Sequence, residues 1–460
     1  MKIAEKEELE RFLAAHPNTA MLEVLVPDIN GILRCKRIPA IEFQAFFKSG
    51  SKGPASTVLV NCRGEFPDEL DIGNADGDPD KLIRPISGTM APIHWLKSET
   101  AQILASFQEL DQSPGMFDCR NILIKTLEHL KQLELKAVVA TEFEFYLIQK
   151  GADGAPKPLL SKVPGTNRDQ KGNQYSMPED LWDHDVFLED VRRACELQNV
   201  PMTTVHSEFS PGQFEINLHH VDDPVTACDH GILLKRIVKG VARKHGMAAC
   251  FMAKPFADIA GSGLHIHLSL YDKEGKNIFA NEGASQQPSI SDEMRHAIGG
   301  LAHTMQDAMA IFAPNANSYR RLIPDCFAPL SPNWGYNHRN VSLRIPVSGD
   351  KDRRIEHRVA GADANPYLVM AAIVAGIHYG LTNQCDPGPM IPEGHVIEEE
   401  QITLPRQWPE ALAKFEASTI MPNYLGMEYC KFFSAVRRCE CNEFNRQVPD
   451  LDYQWYMRAV

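Results

Sequence analysis

Four strand-like segments of this chain carry ionisable residues on one face and apolar residues on the other, and this constrains the fold more than any other feature. In AVVATEFEFYLI, Glu142 and Glu144 share a face, with Phe143 and Phe145 opposite. In GSGLHIHLSLY, His265, His267 and Ser269 alternate with Ile266, Leu268 and Leu270. In RRIEHRV, Arg354, Glu356 and Arg358 stand against Ile355 and Val359, and in SEFSPGQFEINL, Glu208 and Glu215 flank a Ser-Pro-Gly turn. A period of two is the period of a pleated strand. A water-facing strand is the plain alternative, but such faces are usually built of Lys, Thr, Ser and Gln. Carboxylates and imidazoles gathered together repel or lose hydration unless cations sit among them. Hard divalent ions such as Mg²⁺ or Mn²⁺ supply that charge through oxygen ligands with an occasional imidazole. Arginines in the same place call for phosphate or carboxylate. Metal, arginine and acid together describe phosphoryl transfer.

No GxxxxGK[ST], no GxGxxG opening a helix after a strand and no nucleophile elbow occurs, so a nucleotide must be held by an uncommon fold. Gly261-Ser262-Gly263 is either a site for close backbone approach to a ligand or an ordinary turn. With 47 basic and 60 acidic residues the net charge is −13, which disfavours nucleic acid or an anionic membrane as partner. The 11 cysteines, scattered from Cys35 to Cys441 without CxxC spacing, read as reduced cytosolic thiols. The N-terminus MKIAEKEELERF is no signal peptide. The longest apolar run, Val369 to Ile377, is far below the ~18 residues of a membrane span. The expected location is the cytoplasm.

The 460 residues suffice for two to three domains. The first 112 read as a small α+β unit: a helix Glu5 to Ala15, a strand Met21 to Val26, and a hairpin at Asn30-Gly31, where both residues tolerate positive φ. Asp71 to Asp80 is an acidic, turn-rich loop. Ser113-Pro114-Gly115-Met116 marks the break to a second unit, 113–460, in which Asp118 caps a helix running to Leu130. Further helical patterns cover Asp185–Gln198, Ala227–His245, Ser291–Phe312, Asn365–Thr382 and Tyr424–Arg438.

VVATEFEFYL, SPGQFEINL, FMAKPF…AGSGLHIHLSL, NSYRRL, RNVSLRIP, RRIEHRV and ANPYL resemble, in order, the signature blocks of the glutamine synthetase family. The similarity runs from PDINGILRCKRIP to the C-terminal helices. Within the family, GADANPYLVMAAI and WGYNHRNVSLRIP are most similar to γ-glutamylputrescine and related γ-glutamylpolyamine synthetases. The resemblance implies an α+β fold: an N-terminal β-grasp domain and a catalytic domain with a curved antiparallel sheet, assembled as a dodecamer of two hexameric rings with sites between neighbouring subunits.

Carried over block by block, Glu144, Glu208 and Glu215 resemble the ligands of the metal nearer the glutamate, and Glu142, His265 and Glu356 those of the metal bridging the ATP phosphates. Arg321, Arg358 and Gly261 match the glutamate contacts. Arg339, Arg344 and Arg354 match phosphate-side arginines, and His267, Ser269 and Lys351 further nucleotide contacts. Asp28 matches the aspartate that reaches a neighbour's site to hold ammonium, and is the expected base for the amine. The flap motif of glutamine-forming members has a glutamate before Ala-Pro. Here Asp325-Cys326-Phe327-Ala328-Pro329 puts Phe327 there, and Ala260 replaces the asparagine before Gly-Ser-Gly. No tyrosine occurs from Cys385 to Pro405, where the adenylylation loop is expected. An apolar Phe327 favours an alkyl chain by about 0.8 kcal/mol per buried CH₂. The expected reaction is therefore ATP-dependent γ-glutamylation of putrescine or another polyamine. A monoamine such as ethanolamine, ammonia, and a non-catalytic structural or regulatory role are the alternatives.

Overall fold

The computed structural model describes residues 2–460 except 68, 69, 71, 74, 152, 173, 174, 282–289, 325, 326 and 395–402. The chain opens with a helix, Lys6–Ala15, and an antiparallel hairpin of β1 (Met21–Pro27) and β2 (Leu33–Pro39). The hairpin loop is longer than a two-residue turn. Only Gly31 takes positive φ (+73°), and Asp28 closes the loop by accepting the amide hydrogens of Asn30 and Ile32, each at 2.8 Å. After β3 (Ser51–Pro54), β4 (Asp80–Pro85) and β5 (Ala91–Pro92) comes β6 (Thr100–Gln108), which lies parallel to β1. The sheet order is β2-β1-β6-β4-β3, with β5 on β6. Leu22, Val24, Ile103 and Ala105 pack its core against Phe43, Phe46 and Phe47 of the helix Phe43–Ser49. This is a mixed sheet grasping a helix, as expected of the N-terminal unit. In the acidic loop, Asp78 accepts a hydrogen bond from Ser56 Oγ at 2.6 Å, while Asp71 and Asn74 lie outside the described residues.

The second sheet is built on one long strand, β7 (Lys136–Lys150). Around it are β8 (Pro156–Pro158), β9 (Met202–Ser207), β10 (Gln213–Leu218), β11 (Ala248–Cys250), β12 (Leu264–Tyr271), β13 (Trp334–Tyr336), β14 (Leu343–Ile345) and β15 (Ile355–His357). The order is β13-β14-β15-β12-β7-β10-β9, with β8 and β11 on β7. Every pairing is antiparallel except β13–β14. Phe143, Phe145 and Phe214 turn to the helix-covered face and are buried, each contributing roughly 2–3 kcal/mol. The helix Pro224–Lys244 packs there so closely that a Cβ on Gly231 would stand 2.9 Å from the Phe143 ring.

The expected helices form at Cys119–Gln132, Asp185–Leu197, Pro224–Lys244, Asp292–Phe312 and Pro366–Asn383. Asp118, Asp223, Ser291 and Asn365 cap four of them by accepting backbone amides. The apolar run from Val369 to Ile377 is the buried middle of a helix on all sides, which explains its length and lack of charge. No described helix is long and apolar enough to cross a membrane. The last expected helix begins later, at Met427 rather than Tyr424, because Gly426 (φ +97°) separates it from the short turn Met421–Leu425.

Candidate active site

Strand register alone gathers the ionisable residues. On β7, Glu142 stands opposite Asn217 of β10 and His265 of β12, and Glu144 opposite Glu215. One strand further out, His206 of β9 faces Glu215, and Glu356 of β15 faces His267. Arg344 of β14 then faces Glu356. Residues paired across antiparallel strands share a face, so all of these stand on the surface opposite Phe143 and Phe145. Three sets have donor atoms within 4.8 Å of one another: Glu142, His265 and Glu356; Glu144, Glu215 and His265; and His206, Glu208 and Glu215. The first is the set expected for the phosphate-side metal. The second expected set, Glu144, Glu208 and Glu215, is divided between two groups that share Glu215, with His265 and His206 completing them.

The charges in this cluster are unevenly compensated. Burial disfavours ionisation of Glu142, but His267 Nε2 at 2.9 Å and His265 Nδ1 at 3.4 Å outweigh it and hold the carboxyl well below its usual range. Burial is likewise overcome at Glu356, held at about 2 by Arg358 and the two imidazoles. Glu356 pairs with Arg358 Nη1 and, at 2.8 Å, with Arg344 Nη1. At Glu208, burial is overcome by His206 Nε2 at 2.9 Å. Glu215 is the exception. Burial and the carboxylates of Glu142, Glu144 and Glu208 push it up to about 10, against a weaker pull from Arg358. Positive charge is missing where Glu144, Glu208 and Glu215 meet. An oxygen-rich donor set with one or two imidazoles fits a hard divalent cation there.

Arg321, expected at the glutamate, ends the short helical turn Ser318–Arg321 and is buried. Its guanidinium donates to the carbonyls of Val359 (2.9 Å) and Arg358 (3.3 Å) and pairs with no carboxylate among the described residues. Gly261 and Gly263 lie against it. A Cβ on Gly263 would stand 2.8 Å from His265 Nε2 and 2.9 Å from Arg321 Nη2, and one on Gly261 2.8 Å from Arg321 Cγ. The Gly-Ser-Gly turn therefore makes room for functional side chains. Two of its amides are spent within the protein, Gly263 N–H on Glu144 Oε2 at 2.8 Å and Ser262 N–H on the carbonyl of Ala253. Gln213 Nε2 donates to the Gly261 carbonyl at 2.9 Å, and Tyr146 OH to the Ala260 carbonyl at 2.7 Å, stapling this loop to the strands.

A cavity of about 460 Å³ opens beside the first donor set, lined by Glu142, Asn217, His267, Ser269, Asp352 and Arg354 among others. Arg354 Nε donates to His267 Nδ1 at 3.1 Å, fixing the imidazole against Glu142. Ser269 is spent on the carbonyl of Arg353 at 2.9 Å. Lys351 and Arg339 are exposed and do not line this cavity. Phe327 holds a half-exposed ring with φ +50°. Asp325 and Cys326 of the flap lie outside the described residues, as do 395–402 of the expected adenylylation segment.

Asp28 sits in the hairpin loop of the N-terminal unit. Its carboxylate is 0% exposed and turned into its own hairpin loop, paired with Arg34 Nη2 at 2.7 Å as well as with the Asn30 and Ile32 amides. His206, Gln213 and Asn217 were not foreseen. His206-x-Glu208 repeats the alternation seen elsewhere, and reading TTVHSEF as a strand would have found it.

A sequence profile described as "Glutamine synthetase, catalytic domain" matches residues 116–456. The γ-glutamylputrescine synthetase PuuA of Escherichia coli is 37% identical over 454 residues, spanning 98% of this chain and 94% of that protein. The glutamate–isopropylamine ligase of a Pseudomonas species is 30% identical, covering 98% of this chain and 97% of its own. Among solved structures, a GmaS/ADP complex superposes with a TM-score of 0.83 at 25% identity, covering 98% of this chain and 99% of the other.

Proposed function

The chain belongs to the glutamine synthetase family and is an ATP-dependent acid–amine ligase, and we propose that it joins the γ-carboxylate of L-glutamate to a polyamine, putrescine first. The observation that carries the choice of amine is the 37% identity along nearly the whole chain to an enzyme named for putrescine. Phe327 at the flap position supports it. A non-catalytic role is disfavoured because every expected donor residue is present and six of them converge.

Glu142, His265 and Glu356 would hold one divalent cation, and Glu144, Glu208 and Glu215 the other, as Mg²⁺ or Mn²⁺. Such ions supply positive charge to the phosphates. His267, Ser269 and Arg354 line the cavity taken here for the ATP phosphates, Arg344 reaches Glu356 beside it, and Arg339 and Lys351, exposed and outside its lining, are assigned to the nucleotide on the family resemblance alone. Arg321 and Arg358, with Gly261, hold the carboxylates of glutamate. Both guanidiniums are buried beside the cluster, and Arg321 has only carbonyl partners, so a carboxylate completes its coordination. An oxygen of the γ-carboxylate attacks the terminal phosphorus in line and ADP leaves. The neutral amine nitrogen attacks the acyl carbon of γ-glutamyl phosphate, phosphate leaves with the C–O electrons, and the proton lost by the nitrogen is taken up by the departing phosphate. The buried arginines serve by being pre-oriented, since they need not reorganise as charge develops, and water must be kept from the acyl phosphate.

We further assign residues 1–112 to the grasp domain and 113–460 to the catalytic domain, since the strands of the first sheet precede that boundary and those of the second follow it. The assembly is a dodecamer of two hexameric rings in the cytoplasm. Phosphate release from ATP and glutamate, measured with putrescine, cadaverine, spermidine, ethanolamine, isopropylamine and ammonium, tests the substrate. The highest kcat/KM is expected with putrescine. Equal use of ammonium would overturn the polyamine assignment, and a winning monoamine would replace it by a γ-glutamyl monoamide reading.

A further inference from the structure

A second cavity, of about 1040 Å³, lies away from the one beside the carboxylates. It lies where the helix Pro224–Lys244, on the apolar side of the second sheet, meets the N-terminal unit at Trp95 and the hairpin loop. Six cations line it, Lys235, Arg236, Lys239, Arg243, Lys244 and Arg437, against two acids, Asp363 and Glu440. In a chain of net charge −13 that concentration is notable.

Half of these cations are accounted for. Arg236 pairs with Glu23, Lys244 with Asp190, and Arg437 with Glu440. Lys235, Lys239 and Arg243, spaced four residues apart along one helix face, have no carboxylate within 4 Å among the described residues. Lys235 is only 8% exposed, yet its ammonium has a single neutral acceptor, the carbonyl of Ala362 at 2.8 Å. Lys235 Nζ and Lys239 Nζ each lie 5.6 Å from the centre of the Phe251 ring. Burial first, and then the neighbouring Lys239, push the Lys235 ammonium down to about 7. Asp363 is the acid that acts on Lys235, but its pull is weaker than burial and Lys239. Its Oδ2 accepts from Asn315 Nδ2 (2.8 Å) and Ser318 Oγ (2.7 Å), and it lies beyond 4 Å of both ammoniums. The carboxylate cluster calls for a cation, and by the same physics this pair of ammoniums in a half-enclosed cleft calls for an anion.

We propose that this cleft binds a phosphate dianion, free or as a monoester, between Lys235 and Lys239, with Arg243 at its mouth, at a site separate from the catalytic centre. The aromatic walls, Trp95 and Phe444, would take the organic body of a monoester. Removing one of the two ammoniums should weaken binding about tenfold or more, the equivalent of one modest charge contact.

The test is titration calorimetry on the full-length protein in chelator, in which the lysine variants separate binding at this cleft from binding at the cavity lined by Arg354. Inorganic phosphate and AMP are the two probes. One saturable site per chain is expected in the wild type, with about tenfold weaker binding in Lys235→Met and in Lys239→Met. Tighter binding of AMP than of phosphate identifies a monoester as occupant, and equal binding identifies free phosphate. Unchanged affinity in both variants, or no saturable binding in the wild type, overturns the proposal. So does a crystal structure in which a segment of a neighbouring subunit fills the cleft. The lysine variants are expected to fold, since Met keeps the stem's packing on Phe251, and an unaltered melting temperature checks this.

Discussion

Glu215→Gln should make the metal-free protein more stable while removing its response to Mg²⁺. The folded value of Glu215, about 10, lies far above the 4.5 of an unperturbed glutamate. Below pH 4.5 the folded and unfolded chains both hold the proton, and the residue costs nothing. Above it the unfolded chain ionises while the folded chain keeps its proton, so stability falls as pH rises, by about 1.4 kcal/mol per unit. From 4.5 to pH 7 the span is about 2.5 units, a cost of about 3 kcal/mol that grows until the folded value is passed. Glutamine preserves shape and removes the ionisation, so in chelator the variant should gain up to about 3 kcal/mol at pH 7, less at pH 5 and more at pH 9. A cation at a hundredfold excess over its Kd stabilises a protein that binds it by about 2.7 kcal/mol. Wild type should show such a shift, and Glu215→Gln little of it, with most activity lost. Denaturant unfolding of both proteins at the three pH values, with chelator or with Mg²⁺, reads each term. If the metal-free variant is less stable than wild type at pH 7, or both respond equally to Mg²⁺, the account of this cluster as an unmet demand for positive charge is wrong.

Asp28→Ala should cost about 3 kcal/mol of stability by stranding Arg34 and two loop amides; a stable, assembled Asp28→Asn enzyme that loses only kcat would support a substrate-facing role. Phe327→Glu should weaken use of putrescine against ammonium by about 10- to 200-fold in relative kcat/KM, the range available to one or two methylenes on an apolar wall, with KM for ATP unchanged; steady-state kinetics checks both. Arg321→Lys should raise KM for glutamate by tenfold or more, because an ammonium cannot reproduce the planar fork that spans the Val359 and Arg358 carbonyls, while direct ATP binding stays intact. The active wild type should elute and scatter light as a dodecamer, and full activity in a monomer would exclude a site that needs a neighbouring subunit.

The sequence by itself determined which faces of which strands carry the chemistry. Alternation of period two put Glu142 with Glu144, His265 with His267, and Arg354 with Glu356 and Arg358, because a pleated strand leaves no other choice. It also marked the helices that begin at Asp118, Ser291 and Asn365, whose start signals are local hydrogen bonds, while the helix read from Ala227 in fact begins at Pro224 behind the cap of Asp223. What the tertiary structure decided is everything that depends on strand register and on loops closing over themselves. Register splits Glu144, Glu208 and Glu215 between two groups and brings His206 and Asn217 to the cluster, and no single strand's pattern encodes its partner's offset. The fate of Asp28 is of the same kind. A short acid before Asn-Gly reads equally as an outward functional group or as an inward cap of its own loop. Only the three-dimensional path brings Arg34 and two backbone amides within hydrogen-bonding reach of its carboxylate in this chain. The basic cleft was illegible for the same reason, since its walls come from segments as distant as Trp95, Lys235, Asp363 and Phe444 and become neighbours only when the chain folds.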